Sequence, residues 1–449
     1  MNRRRTGFAG LLVGMSASVL MQTLIATSLP VIASELGGMS LYSWVFGAYM
    51  LASTVTIPLF GKMADRMGRR TMYLAGLSVF LIGSALAGLS GSMAHLVGFR
   101  VVQGIGAGAL APAALASVGD LFENETERGK VFGIFGAVQV LANLIGPALG
   151  GWVTDHLGWR YAFYVVIPVG AVAAVLAGLG LPSQRQQERP SGALDWQGAG
   201  LLGIALCAVL LGLQAIGRGS AAAWQGALAT LFGAVVFAAA IRWERRHADP
   251  ALPIALLTQP TLGHAAIGTL LLGAATHSVV AFIPLFTQGT RGATATGAGA
   301  VLVPMMLAAG MGSAISGRLM ARRRVVMTAA WLGLSAGFAW LSLLRAGAGA
   351  AMAIAPGVLI GLGMGLLLPI FLEMAQKAAG IAHRATASGM IQLARNLGGA
   401  LGVPLLGIWL SDEQSLGRSL TIIFGSLAGI SVVALVLAQS ASPRVEEAS

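Results

Sequence analysis

The chain has 449 residues, of which 56% are hydrophobic and only 10% charged, with a mean hydropathy of +0.80. Soluble domains carry about 25% charged residues, so this composition excludes an ordinary soluble enzyme and places the chain in lipid. The net charge of +12 does not imply a nucleic-acid partner, because the basic residues form short clusters between apolar stretches rather than one patch with interleaved aromatics.

Apolar segments fall at 8–33, 42–60, 72–91, 95–118, 131–152, 161–181, 197–217, 224–241, 263–287, 296–316, 326–344, 350–374, 386–409 and 419–439. Each is long enough to cross a hydrocarbon core roughly 30 Å thick, so about fourteen transmembrane helices and an all-α membrane fold are predicted. The start, MNRRR, imitates a secretory signal. Its apolar stretch runs from Phe8 to Ile32, however, longer than the roughly 7–15 residues of a signal core, and is read as a retained first helix. Gly and Pro inside the spans do not argue against helix, because membrane helices tolerate both. The single cysteine, Cys207, excludes an internal disulfide and reads as a small packing residue.

With the N-terminus in the cytoplasm, the inner segments collect Arg3 to Arg5, Lys62 to Arg70, Arg128, Lys130, Arg185, Arg189, Arg242 to Arg246, Arg318 to Arg324, Lys377, Arg384 and Arg444. The outer segments keep only Arg160, Arg218, Arg291, Arg345 and Arg418. The positive-inside rule then puts both termini in the cytoplasm. The loop GKMADRMGRR (Gly61 to Arg70) has a weak echo in GRLMARRR (Gly317 to Arg324), where Arg66 aligns with Arg322 and Asp65 with Ala321. Duplication would give a six-helix bundle over 1–181, a linker with two extra helices over 182–260, and a second six-helix bundle over 261–449.

Four stretches carry chemistry. In the first loop Asp65 and Arg69 stand four apart, within one helical turn, and Asp120 at the inner end of the fourth span is a second acidic partner. With the flanking Gly61 and Gly68 they form a candidate gate, the bland alternative being a solvated basic loop. In RVVQGIGAGALAP, Arg100 lies within a span, where a charge costs about 2.5–3.5 kcal/mol on the mild insertion scale. Gln103 shares its helix face, so the pair either lines a pathway or Arg100 snorkels outward. The GIGAGA run follows no strand and reads as a helix-packing surface, not a dinucleotide loop. In ANLIGPALGG, Gly146 and Gly150 make a small-residue face, with Gly151 beside it, and Pro147 removes a backbone donor, which predicts a closely packed, kinked fifth helix.

With these motifs, together with LDWQGAG (Leu194 to Gly200) and ARNLGGALG (Ala394 to Gly402), the chain resembles the major facilitator superfamily, and within it the fourteen-span drug:proton antiporter branch, over nearly its whole length. The resemblance implies two six-helix bundles plus an inserted helix pair, rocking by alternating access around a central cavity. It implies a secondary transporter, not an enzyme, that exports small lipophilic or amphipathic compounds, coupled to proton influx, from a bacterial cytoplasmic (inner) membrane. It also makes the Gly146 to Gly151 helix an exporter signature. The implied partners are a small-molecule substrate, protons and membrane lipids, with no nucleic acid, cofactor or metal. A metabolite or lipid transporter of the same fold is the alternative. A membrane enzyme or receptor fits less well, because the longest loops, near 182–196 and 242–262, are too short for a soluble domain.

One departure stands out. The branch usually carries an aspartate in the first helix, whereas LMQTLIATSLP (Leu20 to Pro30) has no carboxylate. The remaining candidates in the spans are His277, which titrates near neutrality when unperturbed, Glu373, which either serves the pathway or pairs with the Arg318 to Arg324 loop, and the buried base Arg395. A cavity lined by Arg100 and Arg395 predicts neutral or weakly acidic substrates. His95, His156, His247, His264 and His383 fall near span ends, without metal-ligand spacing, and the glycosylation-like Asn124-Glu125-Thr126 falls on the inner side.

Overall fold

The computed structural model describes residues 3–122, 125–182, 196–217, 220–244, 259–344, 349–380, 384–410 and 416–440. Readings that fall on His247, His383, Arg185, Arg189, Arg218, Arg345, Arg444, Leu194, Asp195 and Asn124 lie outside these residues. Among the described residues there is no strand, as expected where lipid leaves the backbone no partner except its own helix.

The helices are α1 (Arg3–Leu36), α2 (Tyr42–Met67), α3 (Arg69–Gly88), α4 (Met93–Leu121), α5 (Glu125–Leu157), the short α6 (Arg160–Tyr164) with α7 (Val166–Gly180), α8 (Trp196–Gly217) and α9 (Ser220–Glu244). They continue with α10 (Pro260–Gly289), α11 (Ala295–Ser316), α12 (Arg323–Leu343), α13 (Ile354–Ala379), α14 (Arg384–Leu406) and α15 (Leu416–Ser440). Among the described residues ten helical segments are long and apolar enough to cross a membrane, and Gly200–Ile216 of α8 is a shorter apolar helix. The lipid-facing character is plain on α9, where Leu228, Leu231, Phe232 and Val235 are all exposed, a pattern that water would disfavour and hydrocarbon does not.

The chain divides into two compact units, Met1–Val209 with Leu231–Ala251, and Leu210–Thr230 with Leu252–Ser449, so segments of α8 and α9 fall in each. In the first unit α1 packs on α5 and α7, and α4 packs on α2 and α3. In the second, α10 packs on α14, and α13 packs on α11 and α12. The pairings within the two units follow the same pattern. Gly61 to Arg70 closes α2 and opens α3, and Gly317–Arg322 is a 3-10 turn that leads into α12 at Arg323.

Small residues at crossings allow these contacts. In lipid there is little hydrophobic drive between helices, so close backbone approach and dispersion supply the attraction. A Cβ at Gly10 would fall on the backbone of Ala177 of α7, and one at Gly398 of α14 on the Leu270 carbonyl of α10. The GIGAGA run behaves in the same way: side chains at Gly104 and Gly106 would strike the Tyr49 carbonyl of α2 and the Phe80 backbone of α3.

Candidate functional site

The first unit is built around a buried cation. Arg100 and Gln103 on α4 are both 0% exposed, so Arg100 does not snorkel to the surface. Its Nε donates to the Val45 carbonyl of α2 at 3.0 Å and its Nη1 to Gln103 Oε1 at 2.5 Å. The guanidinium lies 4.0 Å from the centre of the Tyr49 ring, and the Tyr49 hydroxyl is 3.0 Å from Ser18 Oγ of α1. Hydrogen bonds to charged groups contribute about 1.5–3 kcal/mol each, and a desolvated cation–π contact about 2, enough to offset the roughly 2.5–3.5 kcal/mol of placing Arg in a span. One direction stays open. Arg100 Nη2 and Gln103 Nε2 are buried and have no hydrogen-bond partner among the described residues. Both are donors, so the cluster presents a buried site for an acceptor or an anion. Arg100 and Gln103 were legible in the sequence. Tyr49 and Ser18 were not, because nothing in an isolated apolar span says which neighbouring helix will face a base.

The helix that lacks the family's usual acid carries hydroxyls instead. Ser28 of α1 shares a 2.6 Å hydrogen bond with Thr154 of α5, and Thr23 and Thr27 bond back to carbonyls of their own helix. Against this ladder lies the Gly146–Pro147–Gly150–Gly151 stretch of α5. A Cβ at Gly146 would fall on the Thr23 hydroxyl and within 2.6 Å of the Thr23 Cβ, and one at Gly150 would lie 2.6 Å from the Leu24 carbonyl and 2.7 Å from its Cα. A hydroxyl can rotate away, but a Cβ or a backbone carbonyl moves only with its helix. Gly146→Ala and Gly150→Ala are therefore each expected to destabilise purified protein by about 1–3 kcal/mol, as overpacking does. Wild-type melting temperatures in both variants would contradict the close α1–α5 contact.

At the other end of this unit the motif loop differs from its sequence reading. Gly68, with φ 93°, ends α2 at Met67, and Arg69 opens α3, so Asp65 and Arg69 stand on separate helices and not on one turn. Only glycine adopts that backbone readily. Arg69 Nη1 donates to the Ala116 carbonyl of α4 at 2.7 Å, one turn before Asp120. The side chains of Asp65 and Asp120 lie outside the described residues. Gly61 leaves ordinary contact distance, 3.7 Å, to Pro112 of α4.

A second polar cluster ties the C-terminal end of α1 to the start of α6. Glu35 accepts from Arg160 Nη1 at 2.7 Å and from Trp159 Nε1 at 2.8 Å, and the Arg160 guanidinium lies 4.2 Å from the centre of the Trp159 ring. The sequence reading overlooked it, although the adjacent Trp159-Arg160 pair beside a glycine was a visible signal.

In the second unit Gly273 of α10 lies so close to α14 that its Cβ would fall on the Arg395 carbonyl. His277, one turn along α10, has Nδ1 2.8 Å from the Gly273 carbonyl and is half-buried, as is Arg395. The structure thus brings His277 and Arg395 to one crossing. Glu373 of α13 is not part of it, being paired at 2.5 Å with Lys377 one turn on in the same helix. Among the described residues no group of three or more His, Cys, Asp or Glu is placed to hold a metal.

A polytopic bundle of apolar helices, with buried polar side chains set at the helix crossings, has the architecture of a membrane transporter. The family model of the Major Facilitator Superfamily matches residues 11–403, and the chain belongs to that family. It is 33% identical over 415 residues to the multidrug transporter protein MdtP of Bacillus subtilis, covering 90% of this chain and 75% of that one. It is 32% identical to multidrug resistance protein 3 of the same organism, covering 89% and 78%. The fold is similar to the crystal structure of a bacterial homologue of the human lysosomal transporter Spinster, with a TM-score of 0.69 at 15% identity, over 98% of this chain and 97% of that one. The protein is therefore a multi-pass membrane transporter with multidrug-efflux relatives.

Proposed function

We propose that this chain exports neutral or weakly acidic lipophilic compounds by alternating access, coupled to proton influx across a bacterial inner membrane. The observation that carries this reading is the buried Arg100, with Nη2 and the adjacent Gln103 Nε2 left as open donors, in a protein whose first-helix stretch Leu20 to Pro30 holds no carboxylate. A desolvated organic cation needs a counter-charge, and a guanidinium repels it. A carboxylate or carbonyl on an apolar body instead completes the open donors. The efflux-type names of the relatives support the outward direction. The His277–Arg395 crossing is a second polar station in the pathway, and Gly61, Asp65, Gly68, Arg69 and Asp120 gate its inner mouth.

Purified protein in liposomes with an imposed pH gradient tests this directly. Uncharged and acidic fluorescent compounds are expected to move against their gradient at least as well as permanent cations. Flux that ignores the pH gradient would remove the proton coupling, and flux of cations alone would remove the substrate class.

We further infer fourteen spans, with α8 and α9 as the inserted pair and both termini in the cytoplasm, from the distribution of Lys and Arg. A C-terminal reporter that is active only in the cytoplasm is the expected result. Activity on the outer face, or an odd number of spans by cysteine labelling, would overturn this topology.

A further inference from the structure

Helix α14 packs on α10 by one side and keeps polar residues on another. A Cβ at Gly398 would strike the Leu270 carbonyl and one at Gly402 would lie 2.8 Å from the Ala274 Cα, and the buried Ile391 and Ala394 share that side. Arg395 stands at the edge of the contact, with Gln392 and Asn396 beyond it. Gln392 is exposed, Arg395 and Asn396 are half-buried, and Gln392 Nε2 donates to Asn396 Oδ1 at 3.3 Å. A guanidinium inside a span is costly against hydrocarbon, so this side faces a path open to water. Across the edge is His277 of α10. The Gly273 carbonyl can only accept, and His277 Nδ1 lies 2.8 Å from it, so Nδ1 holds the ring hydrogen and Nε2 of the neutral ring keeps its lone pair. The Thr276 hydroxyl, 3.4 Å from Nδ1, is already bonded to the same carbonyl at 3.2 Å. The Arg395 guanidinium is near enough for its charge to act on the ring. Among the described residues neither Nε2 nor that guanidinium has a hydrogen-bond partner, and neither is sealed from open space.

We propose that His277 Nε2 and the Arg395 guanidinium form an acceptor–donor pair that selects substrates bearing an N–H or O–H beside a carbonyl: lactams, carboxamides and undissociated carboxylic acids. The carbonyl oxygen accepts from Arg395, the neighbouring hydrogen goes to Nε2, and the apolar remainder of the compound lies outside the pair. This names the polar group of the neutral and weakly acidic compounds proposed above, and it rests on that reading. The imidazole is what narrows the choice. A guanidinium alone takes any acceptor, whereas a lone pair beside it repels a second electron-rich oxygen and accepts a donor. A compound without the matching hydrogen leaves Nε2 unpaired once it shuts out water, and that loss discriminates more sharply than the gain of a bond. The Arg100 cluster differs in kind, because both of its open atoms are donors.

The test uses 2-quinolinone, an uncharged fluorescent lactam, beside N-methyl-2-quinolinone, which keeps the carbonyl and lacks the hydrogen. Binding to the purified full chain is measured at about pH 8, where an ordinary imidazole is neutral. Wild type is expected to prefer the lactam by about tenfold, the effect of one acceptor left unpaired. His277→Phe should bring the lactam down to the affinity of the N-methyl compound, and His277→Gln, whose amide oxygen reaches toward the Nε2 position, should restore part of the preference. Arg395→Leu should weaken both compounds alike, because both keep the carbonyl. Equal affinity of wild type for the two probes would overturn the pair. So would a preference that survives in folded His277→Phe protein, a loss of both probes together in that variant, or undiminished binding in Arg395→Leu. Binding of neither probe by protein that still exports quaternary cations would remove the neutral-substrate reading and the pair with it. Flux that ignores the pH gradient would touch the coupling alone and leave the binding preference standing.

Discussion

Arg100→Ala is expected to lower export of an acidic lipophilic compound by at least about tenfold, and to do so without unfolding the first unit. The variant removes the donor to Gln103 Oε1 and to the Val45 carbonyl, and it leaves the Tyr49 ring facing a void. Each buried polar group left unpaired costs about 1–3 kcal/mol, and a loss of 1.4 kcal/mol in substrate interaction is already tenfold. Arg100→Lys should recover little, because an ammonium lacks the planar fork that bonds the Val45 carbonyl and Gln103 while stacking on Tyr49. The measurement is resistance, or vesicle flux, for an acidic drug beside a quaternary ammonium dye. Undiminished export of the acid by folded Arg100→Ala protein would remove Arg100 from the pathway. Strong export of the quaternary cation alone, indifferent to the variant, would direct attention to a carboxylate, first of all Glu373.

The second large effect is expected at the inner mouth. Asp65→Asn should abolish or strongly slow transport while leaving expression and substrate binding largely intact. The physical ground is the turn at Gly68, which brings the end of α2 against the start of α3 while Arg69 reaches across to the Ala116 carbonyl, one turn before Asp120 on α4. In the proposed gate Asp65 latches the basic turn in one conformation, and an amide of the same shape removes the charge alone. Unchanged transport rates in Asp65→Asn protein would end the gating role. Arg69→Ala offers a second reading of the same latch, because it removes a bond whose geometry is described.

How much of this was legible beforehand differs from residue to residue. The helices were, because an apolar stretch long enough to span a bilayer has no option except to satisfy its own backbone. Arg100 and Gln103 were legible because a charge inside a span must be accounted for, and their three-residue spacing put them on one face. Gly146 and Gly150 were legible as a packing face, but not the partner that they pack against. Asp65 and Arg69 were misplaced relative to each other, since spacing alone assumes a continuous helix and Gly68 breaks it. Glu373 and His277 gave equal signals in sequence, yet one is tied to Lys377 on its own helix while the other sits beside Arg395 on a crossing helix.

By itself, then, the sequence determined the solvent of this protein, the run of its helices, and the presence of bases within its spans where the first-helix stretch Leu20 to Pro30 has no acid. These follow from local rules: hydropathy over some twenty residues, charge counts in loops, and spacing along one helix. Only the tertiary structure decided that Tyr49, Val45 and Ser18 surround Arg100, that Thr23 and Leu24 receive the glycine face of α5, and that the Gly273 contact sets His277 of α10 beside Arg395 of α14. Which helices become neighbours depends on the summed fit of many small residues along each crossing, and no single segment carries that information.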